Sequence, residues 1–331
     1  MARIAVIGSG AVGLFYGAQF VLAGHDVRFL LRRDFQRVAR DGLVIDTTAT
    51  PEIASARSGA TLSIPATAFR ACRDAAECAD GGRPEWILVA VKTTAIDQLG
   101  ALLAPLVGDG AEVIAMCNGL GIEERIAAWC DPEQIFGAMA HVCIRRRDDG
   151  TIHHQAHGRL LLGHLRDDAT RLDRLVALVA EAGIAYDRCT CLREARWRKL
   201  VWNIPYNGLS VTVGAGGIAT DAIMGDPALS NRVDELMREV ISVANADLAA
   251  HGDPGRIDAA WADEMVARTR TMGAYQTSTL VDLRAGAALE VDALFSEPVR
   301  RARRLGVDIP AMEALLRAVR ALDGSPRPAA G

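Results

Sequence analysis

A lysine near the middle of the chain, Lys199, is the residue of this sequence best suited to proton transfer. The chain has 37 basic residues, and all of them are arginines except Lys92 and Lys199. Arginine stays charged at any working pH, whereas a buried lysine can lower its pKa and release a proton. Asn203 and Asn207 follow at i+4 and i+8, so in a helix the three side chains share one face. An ammonium and two carboxamides can hold and polarise a small oxygen-rich molecule.

A second group of polar residues comes later in the chain. Ser278 and Asp282 share a helix face at i and i+4, and Gly286 provides a break that could turn Glu290 inward. Polar residues on helices are usually just solvated, and this applies to both groups. The residues alone therefore leave two interpretations open, a catalytic face around Lys199 or an ordinary solvated one.

A glycine-rich segment near the N-terminus predicts a dinucleotide site. It follows an apolar run, Ile4–Ile7, and precedes a helical pattern, Leu14–Leu22, which is the strand–turn–helix context that a GxGxxG motif requires. Gly8 would make the tight turn, Gly10 would let a pyrophosphate approach, and Gly13 would let helix and strand pack closely. The phosphates would lie at the helix N-terminus. A purely structural turn is the alternative. The predicted cofactor-binding residues of this motif are Gly8, Ser9, Gly10, Ala11, Val12 and Gly13.

The residues after the second strand indicate which cofactor is bound. Val27–Leu31 reads as a strand, and Arg32 and Arg33 follow where NAD-binding sequences usually carry an acidic residue. A guanidinium pairs well with a 2′-phosphate, whereas a carboxylate would repel it. We therefore predict NADPH, with Arg32 as the first choice for this contact and Arg33 as the second. Two solvated arginines are the alternative.

Two further polar residues come at the carboxyl ends of predicted strands, the edge at which α/β sheets bind ligands. Lys92 follows the apolar run Trp86–Val91. Asn118 follows Val113–Met116 and lies in a turn with Gly119 and Gly121. We predict that Lys92 and Asn118 contact the cofactor.

The first half of the chain alternates strand and helix patterns, which is typical of a doubly wound sheet. Besides the segments named above, the expected strands are Thr61–Ile64, Gln134–Ala140 and Leu160–Gly163, and the expected helices are Ala66–Ala79, Ala95–Leu106 and Arg171–Ala182.

After about Arg188 the strand patterns stop. Asp226 and Pro227 form a typical helix start, followed by apolar residues at helical spacing up to Gly252. The sequence thus predicts an α/β fold with a Rossmann-like doubly wound sheet in residues 1–188, an all-helical domain in 189–323 and a disordered tail in 324–331. Further helices are expected at Ile257–Thr269, Thr277–Arg284, Ala288–Leu305 and Pro310–Leu322.

Composition narrows the class of protein. The 331 residues suggest about two domains. A net charge of −4 gives no electrostatic case for nucleic acid, and the arginine clusters 145–147 and 300–304 are expected to be solvated. Neither a signal peptide nor a membrane span is expected, and the seven scattered cysteines show no metal-like pairing, so we predict a cytoplasmic protein without a metal site. Oligomeric state is not readable, and a homodimer is one open alternative.

Together these residues resemble the ketopantoate reductase (2-dehydropantoate 2-reductase) family. The resemblance extends over residues 3 to 310, and its most specific parts are the lysine–asparagine helix and the Ser–Asp–Glu segment. The matching pieces are Gly8-x-Gly10-x-x-Gly13, Arg32, Val89-Ala90-Val91-Lys92, Cys117-Asn118-Gly119, Trp197-x-Lys199-x-x-x-Asn203-x-x-x-Asn207 and Ser278-x-x-x-Asp282-x(7)-Glu290.

The resemblance implies a mechanism. NADPH would pass a hydride to the ketone carbon of a 2-keto acid in a cleft between the domains, and Lys199 would supply the proton. Glu290 would hold the substrate hydroxyl and help to position Lys199, while Asp282 would be structural. The implied substrate-binding residues are Asn118, Asn203, Asn207 and Ser278.

Three alternatives remain beside (R)-pantoate formation for pantothenate synthesis. Tyr275 and Gln276 stand where some family members have an asparagine, so another 2-keto acid could be the substrate. The chain could use NADH. It could also be a non-catalytic NADPH-binding regulator, although retention of both Lys199 and Glu290 argues against this.

Overall fold

A computed structural model describes residues 1–49, 60–108 and 110–323. The chain divides into two compact units. The first comprises Met1–Cys117 and Ile122–Leu192, and the second comprises Asn118–Gly121 and the chain from Arg193 onward. The tail expected at 324–331 lies outside the described residues.

The first unit is built on one 10-stranded sheet. Nine strands lie in the order β4-β3-β9-β8-β7-β6-β1-β2-β5, and β10 pairs with β9. The strands are β1 (Arg3–Ile7), β2 (Asp26–Leu30), β3 (Leu43–Asp46), β4 (Thr61–Ile64), β5 (Arg70–Cys72), β6 (Trp86–Val89), β7 (Glu112–Ala115), β8 (Ile135–Arg146), β9 (Ile152–His164) and β10 (Tyr186–Arg188). The helices are α1 (Ala11–Leu22), α2 (Phe35–Asp41), α3 (Leu99–Leu103), α4 (Ile122–Ile126) and α5 (Ala169–Glu181).

The centre of the sheet is parallel, as a Rossmann-like fold requires. β1 pairs in parallel with β2 and β6, and β7 pairs in parallel with β6 and β8. All four residues of β6 and of β7 are buried, and so are four of the five in β1. Strands that are covered on both faces need continuous apolar sequence, and this explains why these runs were recognisable. The predicted fold class is confirmed.

One predicted helix, Ala66–Ala79, is wrong. The segment forms a 3₁₀ turn (Ala66–Ala68), then the edge strand β5, then a second 3₁₀ turn (Glu77–Ala79). Its alanine content favours a helix locally, but backbone pairing of β5 with β2 prevails. The buried Arg28 also ties the segment down, because its guanidinium donates to the carbonyl oxygens of Cys78 and Asp80. The helix expected at Ala95–Leu106 is likewise shorter, since Thr93–Gln98 is 3₁₀ and only α3 is α-helical.

The strands β8 and β9 are much longer than expected. They have 12 and 13 residues and form an antiparallel pair, so the sheet is mixed. Their outer halves carry polar residues on half-exposed faces, which hid the strand pattern. Two arginines expected to be solvated form ion pairs here: Arg146 with Asp34, and Arg147 with Asp46 at 2.9 Å.

The second unit is helical in its described part. Its helices are α6 (Leu192–Thr212), α7 (Thr220–Gly225), α8 (Pro227–Ala250), α9 (Ala260–Arg270), α10 (Ser278–Arg284), α11 (Glu297–Leu305) and α12 (Pro310–Asp323), with a π-helical turn, Asp292–Ser296, before α11. As predicted, Asp226 caps α8 and accepts from the N–H groups of Ala228 and Leu229. The helix expected from Ala288 starts later, because residues 287–290 are non-helical. None of the described helices has the length and apolar character that crossing a membrane requires.

A buried ion pair fixes α11 to α8. Arg301 Nη1 lies 2.9 Å from Asp247 Oδ2, and both side chains are at most 6% exposed. The same carboxylate oxygen accepts from Trp197 Nε1 at 2.8 Å, which ties in α6. Arg301 was expected to be solvated and is not. Removing one partner of such a pair typically costs about 3–5 kcal/mol, because an unpaired charge stays buried.

Candidate active site

The helix α6 carries Lys199, Asn203 and Asn207 on one face. The other faces are held in the core of the second unit by fully buried side chains, including Trp197, Val201 and Ile204. The bond from Trp197 to Asp247 sets the rotation of the helix about its axis. The polar stripe therefore has a fixed direction.

The Lys199 amine donates a 2.9 Å hydrogen bond to Asn118 Oδ1. Lys199 retains some solvent-accessible surface, but it lies deep in the protein. The pKa of its ammonium is lowered from 10.5 to about 7, mainly by burial and additionally by the positive charge of Arg196. The carboxylate of Glu290 acts in the opposite direction and raises this pKa. An amine that titrates near neutral pH can act as a general acid.

The loop that carries Asn118 is fixed against the π-helical turn. Leu120 N donates to Ala293 O at 3.0 Å. Gly119 has φ 101°, and a Cβ there would lie 2.8 Å from the carbonyl carbon of Ala293, so only glycine fits. Glu290 lies two residues before the start of this turn, and its carbonyl accepts from Leu294 N. The loop of Asn118 is thus hydrogen-bonded to the π-helical turn that follows Glu290 in the chain.

Asn207 and Ser278 are joined by hydrogen bonds at the start of α10. Asn207 Oδ1 accepts from Ser278 Oγ at 3.3 Å, from Thr279 Oγ1 at 2.8 Å and from Thr279 N at 3.2 Å. Asn207 is 2% exposed, whereas Ser278 is exposed.

Three hydroxyl residues of this network, Thr277, Thr279 and Ser210, were missed from the sequence. Thr277 caps α10 by accepting from Leu280 N, and its hydroxyl lies 2.7 Å from Ser210 Oγ. A threonine directly before a helical serine is a recognisable N-cap signal. Contacts of Thr279 and Ser210 with other helices have no local sequence signal.

Asn203 lies one turn from both Lys199 and Asn207 on α6. It is 8% exposed, and its side chain makes no hydrogen bond within the described residues. A buried carboxamide normally needs a partner, so this group is suited to a polar ligand. Asp282 is half-buried, and its backbone carbonyl accepts from Ala287 N at 2.9 Å in the turn after α10.

In the first unit, the glycine motif leaves room for an anion. Gly8 has φ 107°, and a Cβ there would lie 2.4 Å from the Ala90 carbonyl carbon. A Cβ on Gly13 would lie 2.0 Å from Gly8 O, whereas one on Gly10 would meet nothing within 4 Å. Gly10 is the N-cap of α1, whose first-turn N–H groups have no carbonyl partner within the helix. The open space at Gly10 therefore fits a pyrophosphate, with Ser9, Ala11 and Val12 beside it.

The predicted cationic contacts lie at the same edge of the sheet. Ile7 is in register with Leu30 of β2 and with Val89 of β6. Arg32 and Arg33 follow β2 and are exposed, and Lys92 is exposed after β6. Among the described residues, the Arg32 guanidinium makes one long contact, 3.5 Å to Gln98 Oε1, which a phosphate can readily replace.

The predicted residues therefore form two groups. The second unit brings together the Lys199 amine, Asn118 and the charge of Glu290, and also joins Asn207 to Ser278. The first unit gathers the glycine motif and the three cationic residues at one sheet edge.

Comparison with known proteins identifies the relatives of both units. Residues 4–167 match the family described as "Ketopantoate reductase PanE/ApbA", and residues 192–323 match its C-terminal counterpart. A 2-dehydropantoate 2-reductase of Nostoc sp. is 32% identical over 98% of this chain and 96% of its own length.

Solved structures show the same likeness. A crystal structure of 2-dehydropantoate 2-reductase from Geobacter metallireducens has a TM-score of 0.87 at 33% identity, covering 96% of this chain and 99% of its own. One from Methylococcus capsulatus has a TM-score of 0.81 at 32% identity, with 97% and 96% covered.

The two-lysine composition allows the pKa of Lys199 to be measured directly. We expect competitive labelling with an amine reagent, read by mass spectrometry, to give a midpoint near pH 7 for Lys199, with Lys92 as internal reference for the reagent. Glu290→Gln should lower this midpoint, because the carboxylate raises the pKa. Glu235→Gln, which removes an exposed carboxylate on α8, should leave it unchanged. A midpoint near the ordinary value of 10.5 would contradict the burial argument.

Proposed function

Because the chain belongs to the ketopantoate reductase family, whose enzymes are oxidoreductases that act on CH–OH groups and use NAD(P)H, we propose that it reduces 2-dehydropantoate (ketopantoate) to (R)-pantoate with NADPH, for pantothenate biosynthesis. The observation that carries this proposal is the Lys199 amine, which titrates near pH 7 and is held by Asn118 beside the charge of Glu290.

The reaction adds a hydride and a proton to a ketone. NADPH held at the glycine motif would supply the hydride that the ketone carbon accepts. Lys199 donates a hydrogen bond to the ketone oxygen, and it transfers its proton as negative charge develops there, so that an alkoxide never has to be released. A nearly neutral pKa suits this role, since the amine gives up the proton and regains it from solvent within one turnover.

Asn118 and Glu290 control the direction and charge of the amine. The hydrogen bond to Asn118 Oδ1 fixes the direction of the Lys199 amine. The carboxylate keeps a fraction of the amine protonated at neutral pH, because it opposes the effect of burial. Glu290 also accepts a hydrogen bond from the substrate hydroxyl.

Asn203, Asn207 and Ser278 orient the rest of the substrate. The Asn203 carboxamide makes no hydrogen bond to the described residues, and Ser278 Oγ is exposed beside Asn207. These groups offer donors to a carboxylate, and Ser278 is the first choice for that contact. In a 2-keto acid the carboxylate is bonded directly to the ketone carbon. A site with several hydrogen-bond donors next to the general acid Lys199 therefore suits both groups.

NADPH is favoured over NADH by the charges near the end of β2. The two guanidinium groups of Arg32 and Arg33 can pair with a 2′-phosphate. The open Cβ direction at Gly10 and the N-terminus of α1 support binding of the pyrophosphate. We also propose that Lys92 and Asn118 contact this cofactor.

Another 2-keto acid is the second candidate, and the aromatic residue before α10, Tyr275, favours it. Tyr275 packs edge-on against Trp202, at 6.1 Å between ring centroids, close in sequence to Ser278. In this second candidate, the bulk of Tyr275 selects a different side chain on the 2-keto acid.

A panel of 2-keto acids assayed with NADPH tests the proposed function. We expect ketopantoate to give the highest kcat/KM, above pyruvate-type analogues. Lys199→Arg keeps the positive charge but cannot release a proton, so it should lower kcat/KM by about 10²–10⁴ while NADPH still binds. A poor rank for ketopantoate would favour the second candidate. Tight NADPH binding without turnover of any keto acid would favour a regulator.

The cofactor preference is tested by Arg32→Ala. The change should lower the ratio of kcat/KM with NADPH to that with NADH by about tenfold, since one charge-assisted contact with the 2′-phosphate is lost. Arg33→Ala should have the smaller effect. Arg83→Ala, elsewhere in the same unit, serves as a control. An unchanged ratio in Arg32→Ala would assign the role to another residue, and a wild-type preference for NADH would reject the NADPH proposal.

A further inference from the structure

We propose that Thr279 is a positioning residue of this site. It holds the Asn207 carboxamide in the orientation that presents its N–H groups to the substrate, and it leaves the Ser278 hydroxyl available for the same ligand. The inference rests on the proposed function to the extent that the ligand is a 2-keto acid.

The orientation of the Asn207 carboxamide is decided by a backbone group. The two ends of a carboxamide have similar shape, so hydrogen-bond partners must distinguish oxygen from nitrogen. Thr279 N lies 3.2 Å from the Asn207 atom that faces α10, and a backbone N–H can only donate. That atom must therefore be the oxygen, and Nδ2 must lie at the opposite end.

The Thr279 hydroxyl further stabilises this orientation of the Asn207 carboxamide. Thr279 Oγ1 lies 2.8 Å from Asn207 Oδ1, the shortest of the three contacts to this oxygen. Both groups of Thr279 thus donate to one acceptor, and the residue is 3% exposed, so water competes little.

The nitrogen end of the carboxamide is directed along the polar face. Side chains on a helix lean towards its N-terminus, so the Asn207 carboxamide extends over the turn that carries Asn203. No described residue accepts a hydrogen bond from Asn207 Nδ2, although Asn207 is only 2% exposed. Two N–H donors at this position match a carboxylate on the substrate.

Thr279 also determines what Ser278 can do. Ser278 Oγ makes the longest of the three contacts to Asn207 Oδ1, at 3.3 Å. When the Ser278 hydroxyl turns to a ligand, the buried oxygen of Asn207 still accepts two hydrogen bonds from Thr279. Without the Thr279 hydroxyl, the same movement would leave that oxygen with one partner, which is unfavourable for a buried acceptor.

The surrounding hydroxyl groups make this arrangement rigid. Ser210 Oγ donates to the backbone carbonyl of Asn207 at 3.0 Å and lies 2.7 Å from Thr277 Oγ1. Thr277 and Ser210 are completely buried. The start of α10 is therefore fixed to α6 at Asn207, so replacing the Thr279 hydroxyl alone should leave the backbone in place.

Steady-state kinetics of three variants test the proposal. Thr279→Val keeps the shape and the backbone N–H but removes the hydroxyl, and it should raise KM for the 2-keto acid about five- to tenfold, with a smaller change in kcat and no change in affinity for NADPH. Thr279→Ser restores the hydroxyl and should stay within about twofold of the wild type. Thr212→Val, which removes a half-buried hydroxyl bonded within α6 itself, is the matched control.

Two kinetic results would overturn the proposal. One is an unchanged KM in Thr279→Val. The other is an equal rise in KM in Thr279→Ser or in Thr212→Val, which would mean that any perturbation of the helices has this effect. Ser278→Ala should raise KM less in the Thr279→Val background than in the wild type, because the serine no longer turns freely to the ligand. Effects that simply multiply would reject the part of the proposal that concerns Ser278.

Nuclear magnetic resonance gives a readout that does not need turnover. The chain has only five asparagines, so protein labelled with ¹⁵N-asparagine gives five side-chain amide pairs, and Asn207→Asp assigns one of them. We expect one sharp Asn207 pair in the wild type and in Thr279→Ser, and a broadened or doubled pair in Thr279→Val. An unchanged pair in Thr279→Val would contradict the role of Thr279. Absence of wild-type turnover with every 2-keto acid would reject the proposed function, whereas the amide signals would still decide the position of Asn207.

Discussion

The protein depends on one charged group that is costly to bury, the ammonium of Lys199. Removing it from water favours the neutral amine, and the nearby Arg196 acts in the same direction. The negative charge of Glu290 acts against this, while Asn118 accepts a hydrogen bond from the amine and fixes its direction. The balance leaves a pKa of about 7, where an amine can both hold and release a proton. The chemistry proposed here follows from that balance.

Buried polar contacts within the helical unit keep α6 in place around this group. Below the polar face, Asp247 accepts from Trp197 and pairs with the buried Arg301. At the C-terminal end of the polar face, the buried hydroxyl groups of Ser210 and Thr277 join the turn of α6 that contains Asn207 to the start of α10. A site built on a helix that is fixed at both ends can keep its donors in position before the substrate binds, which is what orientation-dependent catalysis needs.

The sequence correctly predicted the structural features that depend on residues close to one another in the chain. Helical spacing found the stripe from Lys199 to Asn207, continuous apolar runs found the central strands, and the Asp226–Pro227 pair found the start of α8. It failed where distant contacts override local preference. The alanine-rich segment before Cys78 contains the strand β5 instead of a helix because Arg70–Cys72 pairs with β2, and Arg301 is buried because it pairs with Asp247 on another helix. Thr279 was missed for the same reason, since its partner is 72 residues away.

The most direct test of the central claim is a crystal structure of the protein with NADP⁺ and an unreactive analogue of the 2-keto acid. We expect the ketone or hydroxyl oxygen of the analogue roughly 2.6–3.2 Å from Lys199 Nζ, with the nicotinamide facing the reacting carbon. An analogue bound elsewhere, or an amine of Lys199 that remains turned away from it in the complex, would contradict the account.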